Sequence, residues 1–345
     1  MKKVFLILAA AVALSSLAFA KPYGEKSRPD SEGDIVFADG TATAWREGLT
    51  LTEEQKAAAV AVIFYAGTEC SNGGERRILG VGLKNATGSG NTLKWAQYTS
   101  DRYTSDTDTT EGYSTNITAI QCTPSESGSG KAATATFTGD LNGSDNWQAL
   151  CEAVSDEGTG GNYPAWEWVN AYATTASLTG DYASGWYLPT VAELSMLYRV
   201  KATVNAALKV AGGTEIASTA YWSSSQNSSY TYGAWSVWFD DGYLDYDGRY
   251  PNGSVCGVRA FNGEEKTMTV RENLKLRSGE YTSTQVLAVM SAGAKVRILE
   301  LGWAETIDGI SSNWVKVEVQ QGAKDRDGKP IKKGTVGWCF GGYLE

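Results

Sequence analysis

The residue types that most often carry out catalysis or bind transition metals are scarce in this chain. Its 345 residues include no histidine, which removes the commonest general base and the commonest metal ligand. The five cysteines include no C-x-x-C pair, so their spacing argues against a zinc site. They are Cys70, Cys122, Cys151, Cys256 and Cys339. We therefore predict a protein with no catalytic residues, no metal and no cofactor.

Four aspartates between residues 240 and 247 are the remaining candidates for cation ligands. The run Asp245-x-Asp247-Gly248 reproduces a fragment of an EF-hand calcium loop, but the glutamate that closes such a loop is absent. A solvated turn explains this pattern better than a calcium site does.

The same stretch is rich in tyrosine, serine, aspartate and asparagine, which are side chains that ligand-binding loops favour. A period of two places Trp235 on the core face of a strand, and Ser236, Trp238 and Asp240 on the opposite face. We predict a ligand-binding surface formed by Gln226, Asn227, Tyr230, Tyr232, Ser236, Trp238, Asp240, Tyr243, Asp245, Tyr246, Asp247, Arg249 and Tyr250. The alternative is that these residues form a polar lid over the core of their own domain.

The elements that must position this surface are short strands mixed with helices, which predicts an α+β fold. Thr52 is a predicted helix N-cap, and Asp241-Gly242 is a hairpin signal. Further helices are predicted at 145–156, 164–175 and 189–212, and strands at 34–37, 60–65, 78–83, 132–138, 234–239 and 255–261, with 93–98 as a further core segment.

A second domain is predicted after a polar break at 262–266. Its predicted strands are 286–290, 295–299, 314–319 and 335–340. Glycine-containing turns separate these strands, and together they predict a small all-β barrel.

The N-terminal 20 residues have the three parts of a secretory signal peptide. These are Lys2 with Lys3, the apolar run Val4–Leu14, and the small residues of Ala18-Phe19-Ala20. We predict cleavage after residue 20 and a linker at 21–33. The alternative, an uncleaved anchor, needs about 20 apolar residues, which is more than this run provides.

The rest of the sequence bears on where the cleaved chain resides. No cysteine lies near the cleavage site to carry a lipid, and no later run is apolar and long enough to cross a bilayer. We predict a protein exported to the periplasm, the cell envelope or the outside, where disulfides are permitted. The net charge of −9 becomes −11 without Lys2 and Lys3, which argues against nucleic acid or anionic lipid as the main partner.

Four segments in the first domain occur in a family-specific order. They are GWYLPTVAEL (185–194), YWSSS (221–225), AWSVWFDDG (234–242) and VRAF (258–261). Together they resemble the Lcl C-terminal domain family, named for a collagen-like bacterial adhesin, and the variable proteins of diversity-generating retroelements. The resemblance implies a C-type-lectin-like fold over 34–263, shared with formylglycine-generating enzymes, and a role in binding. The family often ends in Val-Arg-x-Val-Arg, whereas this chain has VCGVR at 255–259.

The second domain, at 268–345, resembles the bacterial SH3-like domains. The segments that carry this likeness are LRSG (276–279), GAKVRI (293–298), WVKV (314–317), GW (337–338) and YL (343–344). The resemblance implies attachment to the cell wall, with peptidoglycan as a candidate partner.

These observations together predict an exported, non-enzymatic binding protein, an adhesin or cell-envelope interaction protein with a protein or glycan ligand. One alternative is a cell-wall-binding structural protein that acts mainly through the SH3-like domain. A second is a formylglycine-generating-type oxidase that uses Cys256. That chemistry needs a lowered thiol pKa or a partner base, and the sequence offers neither a histidine nor a nearby second cysteine.

Overall fold

Residue contacts divide the chain into two units, a larger one at Tyr23–Lys266 and a smaller one that contains Thr267–Glu345. The computed structural model describes residues 22–97, 115–154, 161–230, 233–248, 252–261, 267–320 and 322–345. Helices and several antiparallel sheets are both present, so the predicted α+β class is confirmed. Among the described residues, none of the helices has the length and apolar character needed to cross a bilayer.

The larger unit contains both helices and strands. Its strands are β1 (Asp34–Phe37), β2 (Ala42–Ala44), β3 (Ala59–Gly67), β4 (Arg77–Ala86), β5 (Leu93–Lys94), β6 (Cys122–Pro124), β7 (Phe137–Gly139), β8 (Trp186–Tyr187), β9 (Ala220–Gln226), β10 (Gly233–Trp238), β11 (Leu244–Gly248), β12 (Asn252–Gly253) and β13 (Val255–Ala260). Its helices are α1 (Glu53–Ala58), α2 (Asn146–Ala153), α3 (Pro164–Asn170), α4 (Tyr172–Thr175), α5 (Val191–Arg199) and α6 (Lys201–Ala211).

A six-stranded antiparallel sheet of order β2-β1-β3-β4-β13-β8 is the centre of this unit. Along β3, Val62 and Phe64 pack in one core with apolar residues of α5 and α6. Ile63, which points the other way, packs in a second core with Trp95 and Trp166. Because both faces are covered, β3 is a continuous apolar run rather than an alternating one.

A smaller antiparallel sheet of order β11-β10-β9 carries the predicted ligand surface. Trp235 and Val237 of β10 belong to the core that includes α5 and α6, while Ala234 and Trp222 belong to the second core. This sheet is therefore also covered on both of its faces over most of its length.

Capping boxes start two of the helices, because each begins with threonine and carries a Glu or Gln three residues later. The Thr52 side chain accepts from the Gln55 N–H, as predicted for an N-cap, and Thr190 does the same for Glu193. The helices predicted at 164–175 and 189–212 are each divided in two, with breaks at Ala171 and Val200.

One prediction of local structure is wrong. Residues 132–138 do not form one strand, because Lys131–Ala133 is a 3₁₀ turn and only Phe137–Gly139 is extended. The described part of the predicted linker at 21–33 contacts the first strands of the larger unit. Lys26 forms a backbone bridge with Ala42, and its ammonium lies 2.8 Å from the buried Asp34 carboxylate.

The smaller unit is a six-stranded antiparallel sheet of order β14-β17-β18-β19-β15-β16. Its strands are β14 (Thr267–Thr269), β15 (Leu274–Arg277), β16 (Val286–Met290), β17 (Lys295–Ile307), β18 (Ile310–Val319) and β19 (Val336–Phe340). Asp308 and Gly309 join β17 to β18 with φ values of 51° and 78°, as a hairpin turn of type I′ requires. A single apolar core contains Leu276, Val296 and Val317.

Candidate ligand-binding surface

The β10–β11 hairpin positions the most exposed of the predicted ligand-binding residues. The Trp238 N–H donates to the Tyr243 carbonyl at 3.0 Å, so these residues lie opposite each other at the hairpin end. The Asp241 carboxylate accepts the Tyr243 N–H at 3.0 Å and fixes the turn between them. Such a carboxylate-to-backbone bond explains why Asp-Gly pairs favour hairpin turns.

Four large aromatic side chains of the predicted surface are exposed to solvent. The exposed fractions are 45% for Tyr230, 40% for Trp238, 39% for Tyr243 and 45% for Tyr246. Asp240 is also exposed, whereas Asp245 is half-buried. Exposed tyrosine and tryptophan combine apolar area with a polar group, which makes them common contact residues in binding surfaces.

These aromatics form two groups on opposite faces of the hairpin. Tyr246 pairs with Trp235 across the strands, and its ring centroid lies 5.1 Å from that of Trp235 and 6.1 Å from that of Tyr230. We call Tyr230, Trp235 and Tyr246 the Tyr246 group. Because strand side chains alternate, Trp238 and Tyr243 lie on the other face together with Asp245, and we call these three the Trp238 face.

Three residues of the predicted surface are buried, which corrects their assignment. Gln226, Asn227 and Ser236 are 0%, 6% and 5% exposed. The alternation of β10 correctly places Ser236 away from the first core. It could not show that this second face packs against other segments, such as that of Leu93, whose carbonyl accepts from the Trp222 indole.

The buried amides hold neighbouring loops rather than offering contacts to a ligand. The Gln226 side chain accepts the Ile117 N–H at 2.8 Å and donates to the Thr115 carbonyl at 3.1 Å. The Asn227 side-chain oxygen accepts the N–H groups of Ser229 and Tyr230. Asn227 therefore holds the backbone of Tyr230 in place.

For four further predicted residues the position of the side chain is not described. Tyr232, Arg249 and Tyr250 lie outside the described residues. For Asp247 only the backbone is described, and it pairs with Ala234 in the register of β10 and β11.

The loop at 128–132 supports the hairpin, which the sequence patterns did not predict. Gly128 and Leu244 exchange two backbone hydrogen bonds of 3.0 Å, and the Ala132 N–H donates to the Gly242 carbonyl. The Ser129 hydroxyl donates to the Asp241 carboxylate at 2.6 Å and lowers the pKa of that carboxyl. The left-handed glycines of this loop were the available sequence signal, since such positions mark tight turns.

Two basic side chains near the hairpin donate hydrogen bonds to backbone carbonyls. The Arg199 guanidinium donates to the carbonyls of Ala132 and Ala135, and the Lys201 ammonium donates to that of Phe239. These contacts tie α5 and the start of α6 to the hairpin and its supporting loop. They are typical of a structural role for both cations.

The buried cysteines have the properties of unreactive thiols. Cys70, Cys122, Cys256 and Cys339 are each 0% exposed, and none of the four forms a disulfide. Burial raises the pKa of the Cys122, Cys256 and Cys339 thiols to about 12, and raises that of Cys70 as well. A thiol in such surroundings stays protonated at neutral pH and is a poor nucleophile.

A buried ion pair anchors α5 beneath the central sheet. The Arg77 guanidinium lies 2.7 Å from the Glu193 carboxylate and 2.9 Å from the Tyr187 hydroxyl, which also donates to Glu193. Arg77 also donates to the Cys70 carbonyl at 2.6 Å. The partners are 116 residues apart, so no local sequence pattern could have paired them.

The smaller unit has exposed aromatic residues of its own. Trp303 is 68% exposed and Tyr281 is 54% exposed. The Trp303 N–H donates to the Glu280 carboxylate at 3.1 Å, which joins the loop after β15 to β17. Gly302 permits this approach, because a Cβ there would collide with the Glu280 carboxylate.

No protein-family model matches the sequence, and no curated protein is significantly similar to it. Among solved structures, the chain is similar to a fimbrial protein from Bacteroides ovatus, with 14% sequence identity and a TM-score of 0.44. The alignment covers 67% of this chain and 48% of the fimbrial protein, so the chain spans about half the length of that neighbour.

Proposed function

We propose that this chain is an exported, non-enzymatic binding protein of the adhesin or cell-envelope interaction class. Its larger unit would be a C-type-lectin-like domain, as the four sequence motifs imply, and its ligand, a protein or a glycan, would contact the Trp238 face. The predicted signal peptide supports the exported location.

One observation carries this proposal, namely that Trp238 and Tyr243 lie opposite each other at a hairpin end with about two fifths of each side chain exposed. Exposed tryptophan is uncommon, and aromatic residues are enriched among the residues that dominate binding energy. The hairpin and its supporting loop fix both backbones, so little conformational entropy would be lost on binding.

A glycan and protein array probed with the chain from residue 21 onwards would test this function. We expect captured ligands to be lost for Trp238→Ala combined with Tyr243→Ala, with the thermal midpoint unchanged. Tyr281→Ala combined with Trp303→Ala, a matched loss of two exposed aromatics in the smaller unit, should bind normally. Capture by the first double variant at the wild-type level would contradict the proposal.

A second candidate function is binding through the smaller unit, which would be an SH3-like module. The observation that favours it is the 68% exposure of Trp303, the highest among the exposed large apolar side chains of the described residues. Sedimentation of the full chain with peptidoglycan separates the two candidates. Loss of sedimentation on Trp303→Ala but not on Trp238→Ala would favour the smaller unit.

The absence of thiol-based catalysis is part of the proposal and has its own test. Because the pKa of Cys256 is raised to about 12, its thiol should stay protonated and unreactive toward a thiol reagent from pH 6 to pH 9 in the native protein. Labelling of Cys256 should appear only after unfolding. Rapid labelling of native Cys256 would instead support the oxidase alternative.

A further inference from the structure

Basic residues are concentrated in one loop of the smaller unit, between β18 and β19. The ten residues 324–333 contain five Lys or Arg and two Asp. The five basic residues are Lys324, Arg326, Lys329, Lys332 and Lys333. All five are exposed. We call this segment the basic loop.

The two aspartates leave most of this positive charge uncompensated. The Asp325 carboxylate accepts the N–H groups of Asp327 and Lys329 at 2.9 and 2.8 Å, which shapes the turn. Asp327 lies 3.7 Å from Arg326, and both side chains are more than 60% exposed, so this pair is weak. Within the described part of the chain, the lysines of the loop form no ion pair.

The basic loop lies beside an apolar edge strand. The Arg326 N–H donates to the Val289 carbonyl at 2.9 Å, and Asp325 forms a bridge with Met290, so the loop runs along β16. Beyond this contact Leu287 is 45% exposed at the edge of the sheet. An exposed basic residue, Lys275, pairs with Val289 from β15.

The negative net charge of the whole chain does not extend to the smaller unit. Residues 23–266 contain 16 Lys or Arg against 30 Asp or Glu, a net charge of −14. Residues 267–345 contain 11 against 9, a net charge of +2. A charge asymmetry between two parts of a chain is typical of proteins in which one part contacts a polyanion or a membrane surface.

We infer that the basic loop and the β16 edge bind the anionic headgroup surface of a phospholipid bilayer. Lysine and arginine near such a surface are attracted by its negative potential, and Leu287 can insert among the headgroups. A soluble anionic polymer would pair with the cations but offers no apolar layer to Leu287, which is why lipid is the favoured partner. This site is independent of the function proposed for the larger unit.

Sedimentation of the chain from residue 21 onwards with phospholipid vesicles tests the inference. We expect binding to vesicles that contain phosphatidylglycerol and none to vesicles of phosphatidylcholine alone, with binding weakened by added salt. Lys329→Glu combined with Lys332→Glu should weaken binding more than about twentyfold, since each lysine near the surface contributes roughly fivefold. Lys209→Glu, an exposed lysine of the larger unit, is the matched control and should have no effect.

Leu287→Ser separates lipid from other polyanions. It should weaken vesicle binding severalfold and leave binding to soluble polyphosphate unchanged. Equal sedimentation with both kinds of vesicle, or binding to polyphosphate without binding to anionic vesicles, would overturn the inference. Neither result would affect the Trp238 face, whose test uses different variants and a different readout.

Discussion

The two units differ most in what their surfaces carry. The larger unit has a net charge of −14 and presents aromatic rings on a hairpin that a second loop holds in place. The smaller unit has a net charge of +2, and its exposed Leu287 lies at a sheet edge beside a basic loop. Averaging the charge over the chain hides this contrast. We expect the two units to contact chemically different partners.

The largest expected effect comes from breaking the buried ion pair of the larger unit. Arg77→Ala leaves the Glu193 carboxylate buried without its cation, which should cost about 3–5 kcal/mol of unfolding free energy. The control is Arg46→Ala, whose ion pair with Glu25 is more than half exposed, so its removal should leave the unfolding free energy nearly unchanged. Chemical denaturation measures both. A loss for Arg77→Ala as small as that of the control would show that the pair is not the anchor of α5.

A core truncation in the smaller unit should have the next largest effect. Leu276 is 0% exposed, so Leu276→Ala should cost about 3 kcal/mol. If the two units unfold separately, calorimetry should show only the transition of the smaller unit shifted. Lys275→Ala, at the neighbouring exposed position, is the control. Equal shifts of both transitions would contradict separate unfolding.

A smaller loss of unfolding free energy is expected for a substitution at Gln226. This residue was predicted to contact the ligand, but it is buried and holds neighbouring segments instead. Gln226→Ala removes the acceptor of the buried Ile117 N–H and should cost about 1–2 kcal/mol. Ligand capture by the folded fraction should be unchanged. Gln148→Ala, an exposed glutamine on α2, controls for loss of the side chain. If the Gln226→Ala variant lost ligand capture but kept its stability, Gln226 would be a ligand contact after all.

Local sequence signals predicted local structure well. The strands Asp34–Phe37 and Val286–Met290 have their predicted bounds, and Thr52 caps α1 as its type and position indicate. The α+β class followed from the same patterns. The strand at 132–138 failed because its residues turn to bond with the distant hairpin at Gly242, a contact that local propensity does not encode.

The candidate surface was predictable only in part, for the same physical reason. Alternation assigned Ser236 and Trp238 to one face of β10, and the structure agrees. Whether that face is exposed depends on segments more than 100 residues away, such as that of Ile117, which Gln226 binds. A period of two therefore predicts the face of a side chain but not what covers it.

The most direct test of the central claim compares the two units in one binding titration. With a ligand captured on the array, Trp238→Ala combined with Tyr243→Ala should weaken the affinity by about thirtyfold or more, the loss expected for residues that dominate an interface. Tyr281→Ala combined with Trp303→Ala should change it by less than about twofold. An unchanged affinity for the first double variant, together with a large loss for the second, would contradict the assignment of ligand binding to the larger unit.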